Sequence, residues 1–331
     1  MRTRNLLDAA TVESLLAAAV AAPSIHNTQP WCFRLDPAGQ VLEVRSVPER
    51  TLPVTDPTHR AQYLSVGAAV CNLRLAALHL GLRPEVGLLP DPGDPGLLAA
   101  VRLTRARRTD ELLSETGLFE AIARRHTSRM PFTGRPVPEP IVTEMTGAAR
   151  TEGARLDVPD IPGTRRLLRL TQAAEARNAL HPARTAETRA WVTAPGAPAP
   201  YGIPLTALGP QDASGRMPVR DFTGTLPVPR LPALRFERHT QVALLWTSYD
   251  RREDWLRAGQ AMERVLLTAT RRGVRTSMLY QAMEWPDLRE AMAGSRPRCC
   301  PQVLIRFGYG PDGGRTPRAA ARPGPGGVSG P

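Results

Sequence analysis

The sequence predicts a mixed α and β protein built from two related halves. Three observations carry that expectation. Long helical patterns with period near 3.6 stand beside short runs that alternate or stay continuously apolar. The 331 residues can hold one large domain or two of ordinary size. Above all, YLSVGAAVCNLRLAALHLG (63–81) matches WLRAGQAMERVLLTATRRG (255–273) at a constant offset of 192. Leu64 meets Leu256, Gly67 meets Gly259, Leu75 meets Leu267 and Gly81 meets Gly273, and an aromatic opens each copy. Two Ala/Leu-rich helices can match by composition, but both glycines in register, with strand-like pieces after each, favour a duplication.

In chain order, Val12, Leu15, Leu16, Ala19 and Val20 form one helical stripe from about Thr11 to Ala22, which Pro23 stops. Trp31 to Leu35 and Val41 to Arg45 alternate around DPAGQ and read as a hairpin. A helix from about Arg60 to Leu80 closes on Gly81, and strand-like pieces follow at Glu85 to Leu89 and Ala99 to Arg105. The second half opens with a helix from Glu111 to Arg125, a Pro-rich loop, and a helix near Ile141 to Ala149. A short strand at 155–158 and a polar-faced helix at 164–180 come next. From Trp191 to Pro232 periodicity disappears into Pro, Gly and Ala, which fits either disorder or a functional lid. A strand at 241–249, a helix from Asp254 to Arg272 and a strand at 301–309 restore order. The stretch from Pro311 onward reads as a mostly flexible tail. The implied division is a first half at 1–110, a second at 111–318 with the lid-like insertion at about 191–232, and a tail at 319–331.

The formal charge is +12, and every one of the 43 basic residues is arginine. They are scattered, with no basic block, zinc-finger spacing or recognition-helix pattern, so a nucleic-acid partner is not expected. A small anion is the better use of a few guanidiniums, which grip phosphate in a planar fork. Cys32, Cys71, Cys299 and Cys300 have neither disulfide nor metal-ligand spacing and read as buried free thiols. No metal is expected. Asp8 and Glu13 break what would otherwise resemble a leader, and no run of eighteen apolar residues occurs. The expectation is a cytoplasmic protein with no membrane partner.

Two stretches carry chemistry. In APSIHNTQPW (22–31), Ser24, Asn27 and Gln29 offer uncharged donors and acceptors at a helix end, suited to the edge of a flat heterocycle. The plain alternative is a capping turn into a hairpin, with Trp31 in the core. In ARRHTSRMPF (123–132), Arg125, Thr127 and Arg129 alternate and would face one way in extended backbone, where they could hold a phosphate. The alternative there is a solvated basic loop.

Together, APSIHNTQPW and RRHTSRMPF…PVPEP resemble the two signatures of the nitroreductase superfamily of flavoproteins, in its Acg-type branch, over roughly residues 8 to 318. The resemblance implies an α+β fold, antiparallel-rich sheets flanked by helices, arranged here as a tandem pseudo-dimer. The first half has the Pro-Ser-x-x-Asn-x-Gln-Pro-Trp turn without the arginine signature. The second half has the arginines, followed by RTEGARLDV in place of the turn. One complete FMN site and one dead one are therefore expected. By resemblance, Arg125, Thr127 and Arg129 would hold the phosphate and ribityl end, and Pro23, Ser24, Ile25 and Asn27 would line the flavin. Arg318 would be the C-terminal phosphate arginine, with Thr316 where a second basic residue is usual. Typical members carry a second serine where Ile25 stands. The backbone of Thr276 to Gln281 would approach the reactive edge. No catalytic residue is assigned, and for His26 packing and catalysis stay open.

The implied activity is FMN-dependent oxidoreduction of nitroreductase type, from NAD(P)H through one FMN per chain to a small organic acceptor. The alternative is an FMN-holding protein whose lid covers the flavin and which turns over little. Fusion of the halves implies a monomer.

Overall fold

The computed structural model describes residues 7–106, 111–194, 200–223 and 231–320; the side chains of 111–116 lie outside the description. Helix α1 (Ala9–Val20) starts where the Asp8 carboxylate accepts the Thr11 backbone N–H. It begins three residues before Val12, the first residue of the hydrophobic stripe, and ends short of Pro23. The hairpin β1 (Trp31–Asp36) and β2 (Val41–Ser46) leads to α2 (Arg60–His79), then β3 (Leu82–Leu88) and β4 (Leu97–Arg105). These strands form one antiparallel sheet in the order β1-β2-β4-β3.

Helices α3 (Glu111–Ile122) and α4 (Glu139–Thr151) precede β5 (Arg155–Asp157). Helices α5 (Ile161–Ala179) and α6 (Pro182–Ala190) follow. Two parallel pairs of two-residue strands come next: β6 (Val192–Thr193) with β7 (Ile203–Pro204), and β8 (Gln211–Asp212) with β9 (Ala233–Leu234). Then come β10 (Gln241–Thr247), α7 (Arg252–Arg271), β11 (Arg275–Leu279), α8 (Pro286–Ala293) and β12 (Cys300–Gly308). The second antiparallel sheet runs β11-β12-β10-β5. Read from β5, its order is that of the first sheet: strand, strand, long helix, edge strand, inner strand. Helix α2 stands in one half where α7 stands in the other.

The two long helices cross at their glycines. A Cβ on Gly67 would lie 2.1 Å from the Leu256 carbonyl oxygen, and one on Gly259 would lie 2.1 Å from that of Leu64. The Cα of each glycine faces the other's missing side chain at 2.9 Å. Residue i touches j and j's counterpart touches i's, which is the signature of a two-fold contact. Tyr63 and Trp255, the aromatics that open the two helices, meet edge to face at 5.7 Å. One large core spans both helices and the inner faces of both sheets, with Leu15, Val70, Leu73, Leu267, Val303 and Ile305 essentially sealed from water. The fold is the α+β pseudo-dimer that the resemblance implies.

Several elements differ from the sequence-based expectation. Helices α6 and α8 were not anticipated, and β11 was given no bounds. Residues 311–320 do not behave as a loose tail: Gly314 packs so closely that a Cβ would lie 2.4 Å from the Thr206 carbonyl oxygen. Residues 321–331 of the expected tail, and 195–199 and 224–230 of the lid-like insertion, lie outside the described residues. Of the four cysteines, which are all free, Cys32 is exposed on the open face of β1, and Cys300 is half-buried as the first residue of the otherwise buried β12. No helix among the described residues is long and apolar enough to cross a membrane.

Candidate functional site

A cavity of about 280 Å³ lies between the halves. Pro23, Ser24, Ile25 and Asn27 line it from the end of α1, and Arg125, Thr127 and Arg129 from the segment after α3. Arg318 closes it from the C-terminal stretch, so all eight residues named from the sequence meet at one place. The wall continues through Ser277 to Gln281, the end of β11 and the two residues after it, and through Met217, Val219, Arg220 and Phe222 of the 200–223 segment.

The turn after α1 is held by backbone geometry as much as by side chains. Pro23 prevents continuation of the helix, and Ile25–Asn27 form a single 3₁₀ turn. The Ser24 hydroxyl accepts the Gln29 backbone N–H at 2.9 Å, and Ile25 N donates to the Ser65 hydroxyl at 3.2 Å. His26, Asn27 and Gln29 all have φ near +50°, a left-handed conformation that is strained for non-glycine residues and concentrates at functional sites. Trp31 packs in the core, as its plain reading has it.

The amides of this turn do not read a ligand edge freely. Asn27 Nδ2 donates to the carbonyls of Gly202 (2.8 Å) and Pro317 (3.0 Å), and its Oδ1 accepts from Arg318 (2.8 Å). Gln29 Nε2 donates to Pro200 (2.6 Å), and Oε1 accepts from Ala319 N (2.9 Å). Gln29 does not line the cavity. The sequence shows donor and acceptor groups but not who occupies them: here they clamp the 200–202 segment and the C-terminal stretch over the cavity.

The arginines divide into two groups. Arg125 and Arg318 come together from 193 residues apart, both donating to the Ala21 carbonyl at 3.3 and 3.4 Å. Glu263 of α7, fully buried, lies 3.3 Å from Arg125 Nε without hydrogen-bond alignment, and its two oxygens have no hydrogen-bond partner. Arg318 Nε is likewise buried and unpartnered. Burial pushes the Glu263 carboxyl up to about 7 against the pull of Arg125, and burial together with Arg125 brings Arg318 down to about 9. Arg315 joins the same wall, donating to Ala123 O at 3.2 Å.

Arg129 belongs elsewhere. Its guanidinium donates to Ala207 O at 2.8 Å and stands 5.5 Å from the Phe222 ring. Burial, then the charge of Arg220, lowers it to about 10. Arg129 and Arg125 therefore do not converge as simple alternation suggests. Arg220 shares Glu284 with Arg184, and that carboxylate is fully buried. Arg306 is neutralised by a two-pronged pair with Glu237, both bonds 2.7 Å, and serves the wall as structure.

Arg220, Arg315, Glu263 and His126 were not found from sequence, and Tyr280 entered only through the backbone of Thr276 to Gln281. Glu263 left a signal: an acid at helical spacing within the buried stripe Leu256, Gly259, Met262, Leu266. The others converge only through tertiary folding. At the pseudo-symmetric position the connection from α4 to β5 is only Glu152–Ala154. Glu152 there takes Arg74 at 2.6 Å and Arg264 at 3.5 Å. That ion cluster stands where the first half has its turn.

No family model matches the chain. It is 33% identical over 313 residues, 92% of this chain and 86% of the other, to Rv3131 of Mycobacterium tuberculosis, a protein provisionally named NAD(P)H nitroreductase. It is 28% identical over 314 residues to acg of the same organism, which carries the same provisional name, covering 94% and 92% of the two chains. Among solved structures it is similar to a provisionally named nitroreductase from Anabaena variabilis, with TM-score 0.49 and 11% identity over 91% of this chain and 88% of that one. A more distant likeness is the FMN-dependent nitroreductase NfnB from Mycobacterium smegmatis in complex with NADPH, with TM-score 0.40 and 17% identity over 62% and 95%. With two signature segments walling one cavity and a relative at this identity over nearly its whole length, the chain belongs to the nitroreductase superfamily, on its Acg-like branch.

Proposed function

We propose that the chain holds one FMN in this cavity and acts as an oxidoreductase, passing electrons from NAD(P)H to a small organic acceptor. The observation that carries the reading is the meeting of Arg125 and Arg318 at the Ala21 carbonyl, at the edge of a cavity whose other walls are largely apolar. The fit rests on an atom left without a partner. Arg318 lines the cavity and its Nε is buried and unsatisfied, a cost a fold retains where a bound group repays it. A phosphate would take Arg125 and Arg318, with Arg315, Ser24 and Thr127 beside it, while Ile25, Leu64, Met262 and Val303 offer apolar surface to a planar ring. When bound, FMN supplies hydride and one-electron chemistry itself. The chain's residues hold it, exclude water and shape access.

The two halves, 1–110 and 111–318, would each supply part of this site, and the shared topology of the sheets supports that division. A monomer in the cytoplasm follows if the pseudo-dimer already covers the surface that single-module members pair through. Neither nucleic acid nor a membrane enters the reading.

A second reading has its own support. Met217, Val219, Arg220 and Phe222 line the cavity from the Pro-rich segment, which is tied down at Asn27, Arg129 and Glu284. Such a lid would hold FMN with little turnover. Anaerobic titration of FMN-loaded protein with NADH and NADPH separates the two. Bleaching of the flavin's visible absorbance and its recovery with an acceptor support the enzyme. No bleaching by either nucleotide, with bleaching restored after excision of the 200–223 segment, supports the lid.

A further inference from the structure

Resting on the flavin reading, we propose that the lid-side wall of the cavity is an acceptor subsite for a planar aromatic compound bearing a carboxylate or phenolate oxygen, received by His26 and Tyr280 beside Arg129. His26 and Tyr280 line this cavity, and both His26 nitrogens and the Tyr280 hydroxyl oxygen are buried without a hydrogen-bond partner among the described residues. His26 is 6% exposed, and its backbone is held in the left-handed region at φ +47°. Leaving a buried imidazole and a buried phenol unsatisfied is costly. Both residues belong to the cavity lining, so a ligand entering the cavity is what can complete the bonding of these three atoms.

The surrounding charge states what kind of oxygen is received. Arg220 lies within electrostatic reach of both His26 and Tyr280. Arg220 and Arg184 share Glu284, and Glu175 also faces Arg220. Glu187 faces Arg184 as well, so Arg184 and Arg220 have carboxylates of their own, whereas Arg129 is paired, among the described residues, only with a backbone carbonyl and the Phe222 ring. Its guanidinium thus meets no carboxylate, in a site of low dielectric where its charge counts for much more than in water. Burial first, then Arg220 and Arg129, hold His26 well below its ordinary value, so it stays neutral and can offer one N–H. A neutral N–H, a phenol O–H and a spare guanidinium complement an anionic oxygen. The flat apolar surroundings are equally specific. Phe222 meets the His26 ring edge to face at 5.5 Å, and Met217, Met278 and Phe236 complete the wall. Nitro or carbonyl groups elsewhere on such a compound remain free to be reduced.

The test is equilibrium binding to oxidised protein without a reductant, so no turnover intervenes. The probes are 4-nitrobenzoate and its uncharged counterpart nitrobenzene, followed by calorimetry on FMN-loaded and FMN-free protein. Wild type should hold 4-nitrobenzoate at least about tenfold more tightly than nitrobenzene. Tyr280→Phe and His26→Asn, an exchange that suits a left-handed backbone, should each weaken the carboxylate about tenfold or shift its pH profile. Nitrobenzene affinity and FMN equivalents should be unchanged. Equal affinity for the two probes overturns the proposal, as do unaltered variants. Loss of FMN in step with loss of the probe also overturns it, because the groups would then belong to the cofactor. Colourless protein that still prefers 4-nitrobenzoate through His26 and Tyr280 would leave this subsite standing and remove the flavin reading instead.

Discussion

Replacing Gly67 by Ala tests the seam between the halves. The new Cβ would sit 2.1 Å from the Leu256 carbonyl oxygen, whereas real Cβ contacts essentially never fall under 3.0 Å. Helices α2 and α7 must therefore part by about 0.9 Å, the difference between those distances. A gap of that size forfeits roughly a quarter to a half of each contact's attraction along the crossing. Overpacking in a tight core costs about 1–3 kcal/mol, occasionally more. A large value is expected here because the obstacle is backbone and cannot rotate away. Ala also gains about 1 kcal/mol over Gly in helix propensity, which offsets part of the loss. The net expectation is about 2 kcal/mol, a fall in Tm of roughly 3 °C for a chain of this length. Gly259→Ala should cost the same, because its Cβ would meet Leu64 O at the same 2.1 Å. The double variant should fall short of additivity, since the helices have already separated. Gly147→Ala on α4 is the control: nothing lies within 4 Å of its Cβ, and propensity alone should raise stability by about 0.5–1 kcal/mol. Thermal unfolding of the four variants decides. If Gly67→Ala behaves like Gly147→Ala, or if only one of the two seam glycines is sensitive, the symmetric crossing is wrong.

Arg125→Gln and Arg318→Gln should each weaken FMN binding by about ten- to a hundredfold, while riboflavin, which lacks the phosphate, should be barely affected; flavin fluorescence quenching measures both. Glu263 links the site to pH. Its folded carboxyl titrates at about 7, above the ordinary 4.5, so the folded chain keeps a proton that the unfolded chain has lost. That contribution to stability is full below about 4.5 and declines as pH rises to about 7. Between those values the Tm of flavin-free wild type should fall relative to Glu263→Gln, and parallel curves would contradict the assignment. Glu284→Gln strips the counter-charge from Arg184 and Arg220, whose side chains are 10% and 11% exposed, and should destabilise by about 3–5 kcal/mol in urea unfolding. A shift under about 1 kcal/mol would mean the network is solvated and holds no lid.

Much of the scaffold was legible because it is periodic. The Val12 to Val20 stripe, the hairpin around DPAGQ and the paired helices at 63–81 and 255–273 each declare themselves within one window. What escaped has no such period. Helix α8 is eight residues long, and β6 to β9 are two residues each, too short to show a period. The cavity residues were legible through two short stretches whose side-chain types suit a phosphate and a ring. Their division of labour was not. Arg129 lies with Arg220 because residues 205–223 fold over it, and nothing near position 129 encodes that approach. Asn27 and Gln29 were read as ligand-facing because a sequence lists hydrogen-bonding groups and not their partners. The Pro311 stretch looked loose because glycine and proline hide its packing: Gly314 is small so that it can lie against Thr206.

The central claim is that one cavity per chain takes one phosphate-bearing flavin between Arg125 and Arg318. Purified protein saturated with FMN, freed of excess and denatured to release its flavin, should return one equivalent of FMN per chain. The Arg125→Gln, Arg318→Gln double variant should return close to none while keeping the wild-type circular dichroism. No flavin in wild type, or two equivalents per chain, would contradict it.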